Sequence, residues 1–159
     1  MDIYKKFIID FEHNLNNIKD KKEFSNFVIV CIGTDKITGD SLGPLVGYRL
    51  NKLFNQNKKV KVLGNFNNII NAQNIDVLNF EYKETCIIAI DAALSSKNNI
   101  GEIIVDTTKI ELGAGLYKNI GHIGDISIKG VVAENKYKID YNLKNLQNAR
   151  LRISSGYGR

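Results

Sequence analysis

The stretch of sequence that decides the fold reads Val28-Ile-Val-Cys-Ile-Gly-Thr-Asp-Lys-Ile-Thr-Gly-Asp-Ser-Leu-Gly-Pro-Leu-Val-Gly47. It begins within an apolar, β-branched run from Phe27 to Ile32, which is short enough for a strand buried on both faces. A polar turn follows from Gly33 to Gly39, and beyond it apolar residues recur on one face of a helix. These residues are Leu42, Leu45, Val46, Leu50, Leu53 and Phe54. The stretch therefore predicts a strand, a turn and a helix in succession.

The turn of this unit carries two carboxylates, Asp35 and Asp40. Asp40 stands where the helix should begin, next to Ser41 and with Pro44 in the first turn, and all three residue types are favoured at helix N-termini. In an open α/β sheet, ligands bind at the carboxyl ends of strands beside the helices that follow. Asp40 is therefore placed either for chemistry or for capping the helix, and its position alone favours the cap.

A second buried-strand pattern also leads into a carboxylate, in the segment Cys86-Ile-Ile-Ala-Ile-Asp91-Ala-Ala-Leu-Ser. If this strand is the parallel neighbour of the first, Asp40 and Asp91 face one another across the same edge of the sheet. We therefore predict a site at the carboxyl ends of the strands that carry Cys31 and Cys86.

Five motifs carry a resemblance to a known family: Gly33-Thr-Asp35, Thr38-Gly-Asp-Ser-Leu-Gly-Pro44, Ala89-Ile-Asp-Ala92, Gly113-Ala-Gly115 and Gly124-Asp-Ile126. Together they resemble the YyaC-type sporulation protein family, from about Phe27 to the C-terminus. That family is similar to the spore germination protease and, more distantly, to the hydrogenase-maturation endopeptidases. The resemblance implies that Asp40 and Asp91 match the two essential aspartates of the germination protease, which cleaves small acid-soluble, DNA-binding spore proteins.

The resemblance also implies a function and a location. The expected function is a sporulation-associated endopeptidase, active in the cytoplasm of the sporulating cell or in the spore core, with a peptide or a small spore protein as its substrate. The chain is much shorter than the germination protease and lacks its insertions, so substrate and activity stay open. The alternative is a non-catalytic spore protein that binds a peptide in the same cleft.

Two facing carboxylates suit hydrolysis, since they share a proton and their pKa values split. This reading needs no cofactor. The alternative is a divalent metal at Asp40 and Asp91, because the hydrogenase-maturation endopeptidases recognise a metal with two acidic residues and a histidine. His122 is the candidate for the third position, although its segment aligns poorly with the family and a loop histidine is the simpler reading. Two carboxylates alone make a poor transition-metal site.

Further residues are predicted to contact the substrate. Asp35, Thr38 and Gly39 lie in the turn after the first strand, and Gly113 and Gly115 lie in a later glycine-bearing loop. Glycines allow the backbone to approach a ligand closely. The loop matches neither a phosphate-binding loop nor a dinucleotide fingerprint, so we expect it to line the site or to cover it.

Length and composition fit one globular domain, because 159 residues with 43% hydrophobic and 25% charged residues can bury a sizeable core. We assign residues 1–159 to a single α/β domain, with an N-terminal helix and linker over 1–24 and a core over 25–155. The expected fold is a three-layer sandwich resembling the hydrogenase-maturation proteases. It has a mixed, twisted sheet of five or six strands and helices on both faces.

The order of elements is predicted from periodicity and turn signals. Helices are expected over 2–19, 41–54 and 141–155, a weaker one over 65–79, and strands over 27–32, 59–63, 86–90, 102–106 and 125–132. The linker over 94–100 is too short for a crossover helix, so the strand over 102–106 should return antiparallel beside the third strand.

The sequence shows no signal-peptide pattern and no apolar run of membrane-spanning length, so we expect a cytoplasmic protein without membrane contact. The net charge of +5 comes from scattered basic residues without an aromatic–basic stripe, and direct nucleic-acid binding is not expected. Assembly as a homo-oligomer is left open. Cys31 and Cys86 fit no metal or redox spacing and are expected to be inert core thiols.

Overall fold

The structure is a computed structural model that describes residues 2–75, 84–111, 122–135 and 139–149, without the side chains of residues 139–142. The elements, in chain order, are α1 (Ile3–Lys19), β1 (Asn26–Cys31), α2 (Leu42–Phe54), β2 (Val60–Leu63), β3 (Thr85–Ser95), β4 (Ile103–Asp106), β5 (Ile110–Glu111), β6 (His122–Ile123), β7 (Ile126–Glu134) and α3 (Ile139–Gln147). Two short 3-10 turns, Gly39–Ser41 and Lys97–Asn99, precede α2 and β4.

Five of the strands form one mixed sheet in the order β2-β1-β3-β7-β4. The pairs β1–β2, β1–β3 and β3–β7 are parallel, whereas β4 pairs antiparallel with β7. The α/β class, the mixed sheet and the parallel adjacency of β1 and β3 are thereby confirmed. The expected partner of β4 is wrong. Strand β7 pairs with β3 from Ile88 to Ser95, so β4 pairs with the other edge of β7.

One face of the sheet is covered by α1 and α2. Phenylalanine and leucine side chains of α1 and the apolar face of α2 pack on alternate strand residues. Helix α1 lies against β4 and α2 against β1, β2 and β3. This cluster comprises Ile18, Ile29, Cys31, Cys86, Ile88, Ile90, Val105 and Ile126, with Phe7, Phe11, Leu15, Val46, Leu50 and Phe54 packed against it. Most of the positions whose periodicity predicted the two helices pack here, whereas Ile8 of α1 and Leu53 of α2 are exposed, at 52% and 71%.

The opposite face of the sheet carries a second apolar cluster. Val28, Val30 and Ala89 point into it from the strands, because alternate residues of a strand face opposite sides. Ile70 and Ile75 cover them from the segment after β2, and Ile110 and Ile123 do so from the antiparallel pair β5–β6. The open sheet, with layers packed on both faces, is consistent with the expected three-layer sandwich.

The weak helix predicted over 65–79 is not formed in its described part. Residues 65–75 are turns in which asparagine side chains accept backbone N–H groups, as Asn65 does from Asn67 and Asn68. Such local bonds compete with helix formation. Ile70 nevertheless keeps contact with the sheet, through a parallel bridge to Ile32. Residues 76–79 of the prediction lie outside the described residues.

Strand β3 is longer than predicted, because it continues through Asp91 to Ser95. The additional residues pair with β7, with a register shift after Ala93. The final helix begins earlier than predicted, at Ile139, and its last predicted residues, 150–155, lie outside the described residues.

The amino ends of the strands are joined by the Lys22–Asp125 ion pair, at 2.6 Å. Lys22 also donates to the carbonyl oxygen of Thr85, and the Asp125 carboxylate accepts the backbone N–H of Ile87. The linker after α1 is thus fixed to the start of β3 and to the residue before β7. This places the motif Gly124-Asp-Ile126 in a structural role, at the opposite end of the strands from Asp91.

Candidate functional site

The start of α2 is packed directly on the end of β1. A Cβ atom at Gly43 would lie 1.9 Å from the carbonyl oxygen of Ile32, so no larger residue fits at this contact. A Cβ at Gly33 would lie 2.0 Å from the carbonyl oxygen of Asp40, and the same oxygen accepts the backbone N–H of Thr34 at 3.0 Å. The two glycines therefore let the turn close and bring the backbone of Asp40 to the end of β1.

Asp40 is the central residue of the 3-10 turn Gly39–Ser41 and does not occupy the N-cap position of α2. That position belongs to Ser41, whose hydroxyl donates to the Thr38 carbonyl oxygen at 2.6 Å and does not cap the helix. The turn also packs against β3. Capping was the simplest reading of Asp40, and the geometry of the turn does not support it.

Asp91 lies in β3 at the point where the neighbouring strand β1 ends. The last pair of the β1–β3 register joins Cys31 to Ile90, and the backbone N–H of Ile32 donates to the Ile90 carbonyl oxygen at 2.8 Å. Asp91 is the next residue of β3. Its side chain is half-buried and accepts the backbone N–H of Ala92 at 2.8 Å.

The chain after β1 runs to β2 on one side, whereas β3 lies on the other side of β1. The strand order therefore reverses between β1 and β3, and open α/β sheets bind ligands at such a switch point, outside the carboxyl ends of the strands. Asp40 follows β1 and Asp91 lies on β3, so both carboxylates belong to this point. The sequence predicted this placement from the two strand patterns, and the structure confirms that the strands are parallel neighbours.

The two carboxylates differ in the groups that shift their pKa values. Burial raises the pKa of Asp91, the negative charge of Asp40 raises it further, and the resulting pKa is about 8. The N–H of Ala92 and the ammonium group of Lys129 act in the opposite direction and lower this pKa. Burial also raises the pKa of Asp40. The negative charge of Asp40 therefore acts on Asp91, and the raised pKa of Asp91 favours its protonated carboxyl at neutral pH.

Lys129 and Asp106 belong to the same polar region and were missed by the sequence analysis. Lys129 is the register partner of Asp91 on β7, and its Nζ atom lies 3.5 Å from an oxygen of Asp106 on β4. Asp106 also accepts hydrogen bonds from the backbone N–H and hydroxyl of Thr108 and from the hydroxyl of Ser127. The signal in the sequence was a lysine at the centre of the mainly apolar strand β7.

Comparison with known proteins identifies the family. Residues 2–155 match the family described as protein of unknown function DUF1256. The chain belongs to the DUF1256 family. It is 35% identical over 130 residues to a protein of Bacillus subtilis (strain 168) named "uncharacterized protein YyaC". That match covers 79% of this chain and 61% of the relative, so the chain spans less than two thirds of the relative's length. The YyaC-type resemblance is thereby confirmed. No solved structure matches the chain.

The other residues predicted to contact the substrate of this DUF1256 protein differ in their exposure to solvent. Asp35 and Thr38 are exposed in the turn after β1. Gly39 is buried, and a Cβ there would lie 3.0 Å from Leu146 of α3, so this glycine serves the packing of α3 on the turn. The other two predicted contacts, Gly113 and Gly115, lie outside the described residues.

The metal alternative finds little support in the donor groups near the pair. His122 is exposed on β6, where its register partner is Glu111. Within residues 2–75, 84–111, 122–135 and 139–149, no three His, Cys, Asp or Glu side chains are grouped to hold a metal ion. The positive charge of Lys129 acts on Asp91 and opposes a cation there. The described residues of the site therefore fit a transition metal poorly.

In the described part of the chain, no helix is both long and apolar enough to cross a bilayer.

Proposed function

We propose that this chain is an endopeptidase that uses Asp40 and Asp91 as a proton-sharing pair to hydrolyse peptide bonds of small spore proteins. The observation that carries the proposal is the coupling of two carboxylates at the switch point between β1 and β3. The pKa of one of them is raised to about 8. Enzymes that run acid and base chemistry with two carboxyl groups separate the pKa values in this way. The resemblance to the germination protease supports the same residues and suggests work in the sporulating cell or the spore core.

The proposed chemistry assigns one role to each aspartate. Asp40, as the ionised member, accepts a proton from a water molecule, and the water oxygen forms a bond to the carbon of the scissile amide. Asp91, as the protonated member, donates its proton to the amide nitrogen, and the carbon–nitrogen bond breaks. The proton taken up by Asp40 then returns to Asp91, which restores the starting state. General acid–base help of this kind contributes roughly 10²–10⁴ in rate.

The test is a mass-spectrometric cleavage assay on purified small acid-soluble spore proteins, run between about pH 5 and 8, where a shared proton is expected to matter. The wild-type chain is compared with Asp40→Asn and Asp91→Asn, and Asp20→Asn, an exposed position after α1, is the matched control. Each reaction is run with and without a chelator. The proposal expects defined fragments from the wild type and the control, unaffected by chelation, and losses of roughly 10²-fold or more for both site variants.

Three outcomes overturn the proposal. Equal cleavage by all four proteins excludes the pair, and activity that is lost with the chelator and restored by a divalent ion favours the metal alternative. Binding of the intact spore protein without cleavage, weakened by Asp40→Asn or Asp91→Asn, is the result expected of a non-catalytic peptide-binding protein.

A further inference from the structure

Lys129 shares the face of the sheet on which Asp91 lies. The two residues are paired in the parallel register of β3 and β7, and paired residues of neighbouring strands project to the same side. Ser127 projects to this side as well, because it lies two residues before Lys129. Its partner on β4 is Asp106. Asp91, Lys129 and Asp106 therefore form a diagonal row across three adjacent strands, in which Asp106 lies opposite Ser127 and the lysine lies between the two carboxylates.

The carboxylate at the far end of this row is held in the ionised form. Partial burial acts to raise the pKa of Asp106, but hydrogen bonds from Thr108 and Ser127 and the positive charge of Lys129 together lower this pKa below its usual range. One oxygen of Asp106 accepts the hydrogen bonds from Thr108 and Ser127, and the other oxygen faces Lys129 Nζ. Asp106 is thus a fixed negative charge that attracts the ammonium group from the side opposite Asp91.

We propose that Lys129 is a positioning residue of the aspartate site, that Asp106 holds it, and that its ammonium group controls the proton shared by Asp40 and Asp91. The catalytic meaning of this inference rests on the proposed endopeptidase function. The charge relationship itself does not, because it concerns the free protein.

The charges that act on Asp91 have opposite effects on its proton. Among the described residues, Asp40 of the 3-10 turn and Lys129 of β7 are the charged groups that act on it. Asp40 favours the protonated carboxyl and Lys129 favours the ionised one. Asp106 competes with Asp91 for the same ammonium group. Because Asp106 also attracts the ammonium group, Lys129 lowers the pKa of Asp91 only in part. Asp91 therefore keeps its proton at neutral pH and can still donate it.

This arrangement predicts opposite effects for the two partners of the ion pair. Lys129→Met removes the positive charge, so Asp91 should lose its proton at higher pH than in the wild type. Asp106→Asn leaves Lys129 without its competing carboxylate, so Asp91 should lose its proton at lower pH. An ion pair with no electrostatic effect on Asp91 would leave the Asp91 titration unchanged in both variants.

The experiment is a titration of the Asp91 carboxyl carbon by NMR on the full chain, without substrate. The variants are Lys129→Met, Lys129→Arg and Asp106→Asn. Lys61→Met is the matched control, because Lys61 is an exposed lysine on β2, two strands away from Asp91 in the sheet. We expect a shift to higher pH for Lys129→Met, a shift to lower pH for Asp106→Asn, and wild-type titration for Lys129→Arg and Lys61→Met.

The inference is overturned if Lys129→Met titrates like Lys61→Met, or if Lys129→Met and Asp106→Asn shift in the same direction. Circular dichroism and thermal unfolding of each variant verify that it is folded before it is titrated. The two proposals fail separately. Opposite shifts in a protein that cleaves nothing support the positioning role and refute the peptidase, whereas cleavage that requires Asp40 and Asp91 without these shifts does the reverse.

Discussion

The backbone N–H of Ile32 donates a hydrogen bond to the carbonyl oxygen of Ile90 at 2.8 Å, and the paired register of β1 with β3 ends beside this bond. Asp91 is the next residue on β3, whereas the chain after Ile32 turns away and returns through Asp40 to begin α2. This hydrogen bond therefore marks the end of the β1–β3 pairing, beyond which β3 continues with Asp91 and the chain after β1 leads to Asp40.

The pKa of Asp91 gives a first prediction, on stability. The unfolded chain releases this proton near pH 4, whereas the folded protein holds it to about pH 8. The folded state binds more protons in this window, so Asp91 destabilises the fold increasingly as the pH rises from about 4 to 8. Asp91→Asn removes this effect, and each unit of the raised pKa corresponds to about 1.4 kcal/mol. We expect its stability advantage over the wild type to grow across the window, as measured by urea unfolding.

The control for this experiment is Asp20→Asn, since Asp20 is exposed after α1. Its stability difference from the wild type should stay constant with pH. An Asp91→Asn variant whose advantage does not change between acidic and alkaline solution would show that this carboxyl titrates normally, and would remove the main support for the pair.

Gly43 gives a second prediction, about the contact that places Asp40. Alanine normally favours a helix over glycine by about 1 kcal/mol. At this position the added Cβ would lie 1.9 Å from the Ile32 carbonyl oxygen, so α2 must shift away from β1. We expect Gly43→Ala to lower the free energy of unfolding by about 1–3 kcal/mol. Arg49→Ala, at an exposed position of the same helix, should change it by less than about 0.5 kcal/mol. Equal stability of both variants would contradict the packing described.

The ion pair at the opposite end of the strands gives a third prediction. Asp125→Ala leaves Lys22 and the backbone N–H of Ile87 without the carboxylate that they bind. Asp125 is partly buried, and loss of such a hydrogen-bonded partner costs about 1–3 kcal/mol. Lys22→Met should cost less, because Lys22 is 38% exposed and solvent screens its charge. Chemical denaturation measures both, and a larger loss for Lys22→Met would contradict this assignment.

The two cysteines give a fourth prediction. Burial raises the pKa of Cys31 to about 12 and that of Cys86 to about 11, and both thiols are free and fully buried. Thiols that are protonated and inaccessible react slowly with alkylating reagents. We expect neither cysteine to be modified in the native protein at about pH 8, and both to be modified in denaturant. Rapid modification of native Cys31 would show that the centre of the sheet is more accessible than the structure indicates.

The local part of the site was predictable from the sequence. Local patterns predict the strand, turn and helix that contain Asp40, from the apolar run ending near Ile32 to the helical spacing after it. A second apolar run predicts the strand that leads to Asp91. Each pattern is read within about twenty residues. Their meeting required only the assumption of parallel adjacency, which the sheet confirms.

The rest of the site was not predictable because it depends on pairings between distant parts of the chain. Lys129 is the register partner of Asp91 only because β7 lies between β3 and β4, although the sequence favoured β4 as the neighbour of β3. The continuation of β3 past Asp91 has the same cause, since its Ala and Ser residues form a strand through pairing with β7. The asparagines after β2 acted locally instead, and their side-chain hydrogen bonds replaced the predicted helix by turns.

The most direct measurement of the central claim is the NMR titration of Asp91 in the wild-type chain and in Asp40→Asn. The account predicts that Asp91 titrates near pH 8 in the wild type and at a lower pH in Asp40→Asn, because the variant removes the negative charge that raises its pKa. Asp20→Asn should leave the titration unchanged. A wild-type Asp91 that titrates near pH 4, the usual range for aspartate, or a titration that Asp40→Asn does not move, would contradict the coupled pair.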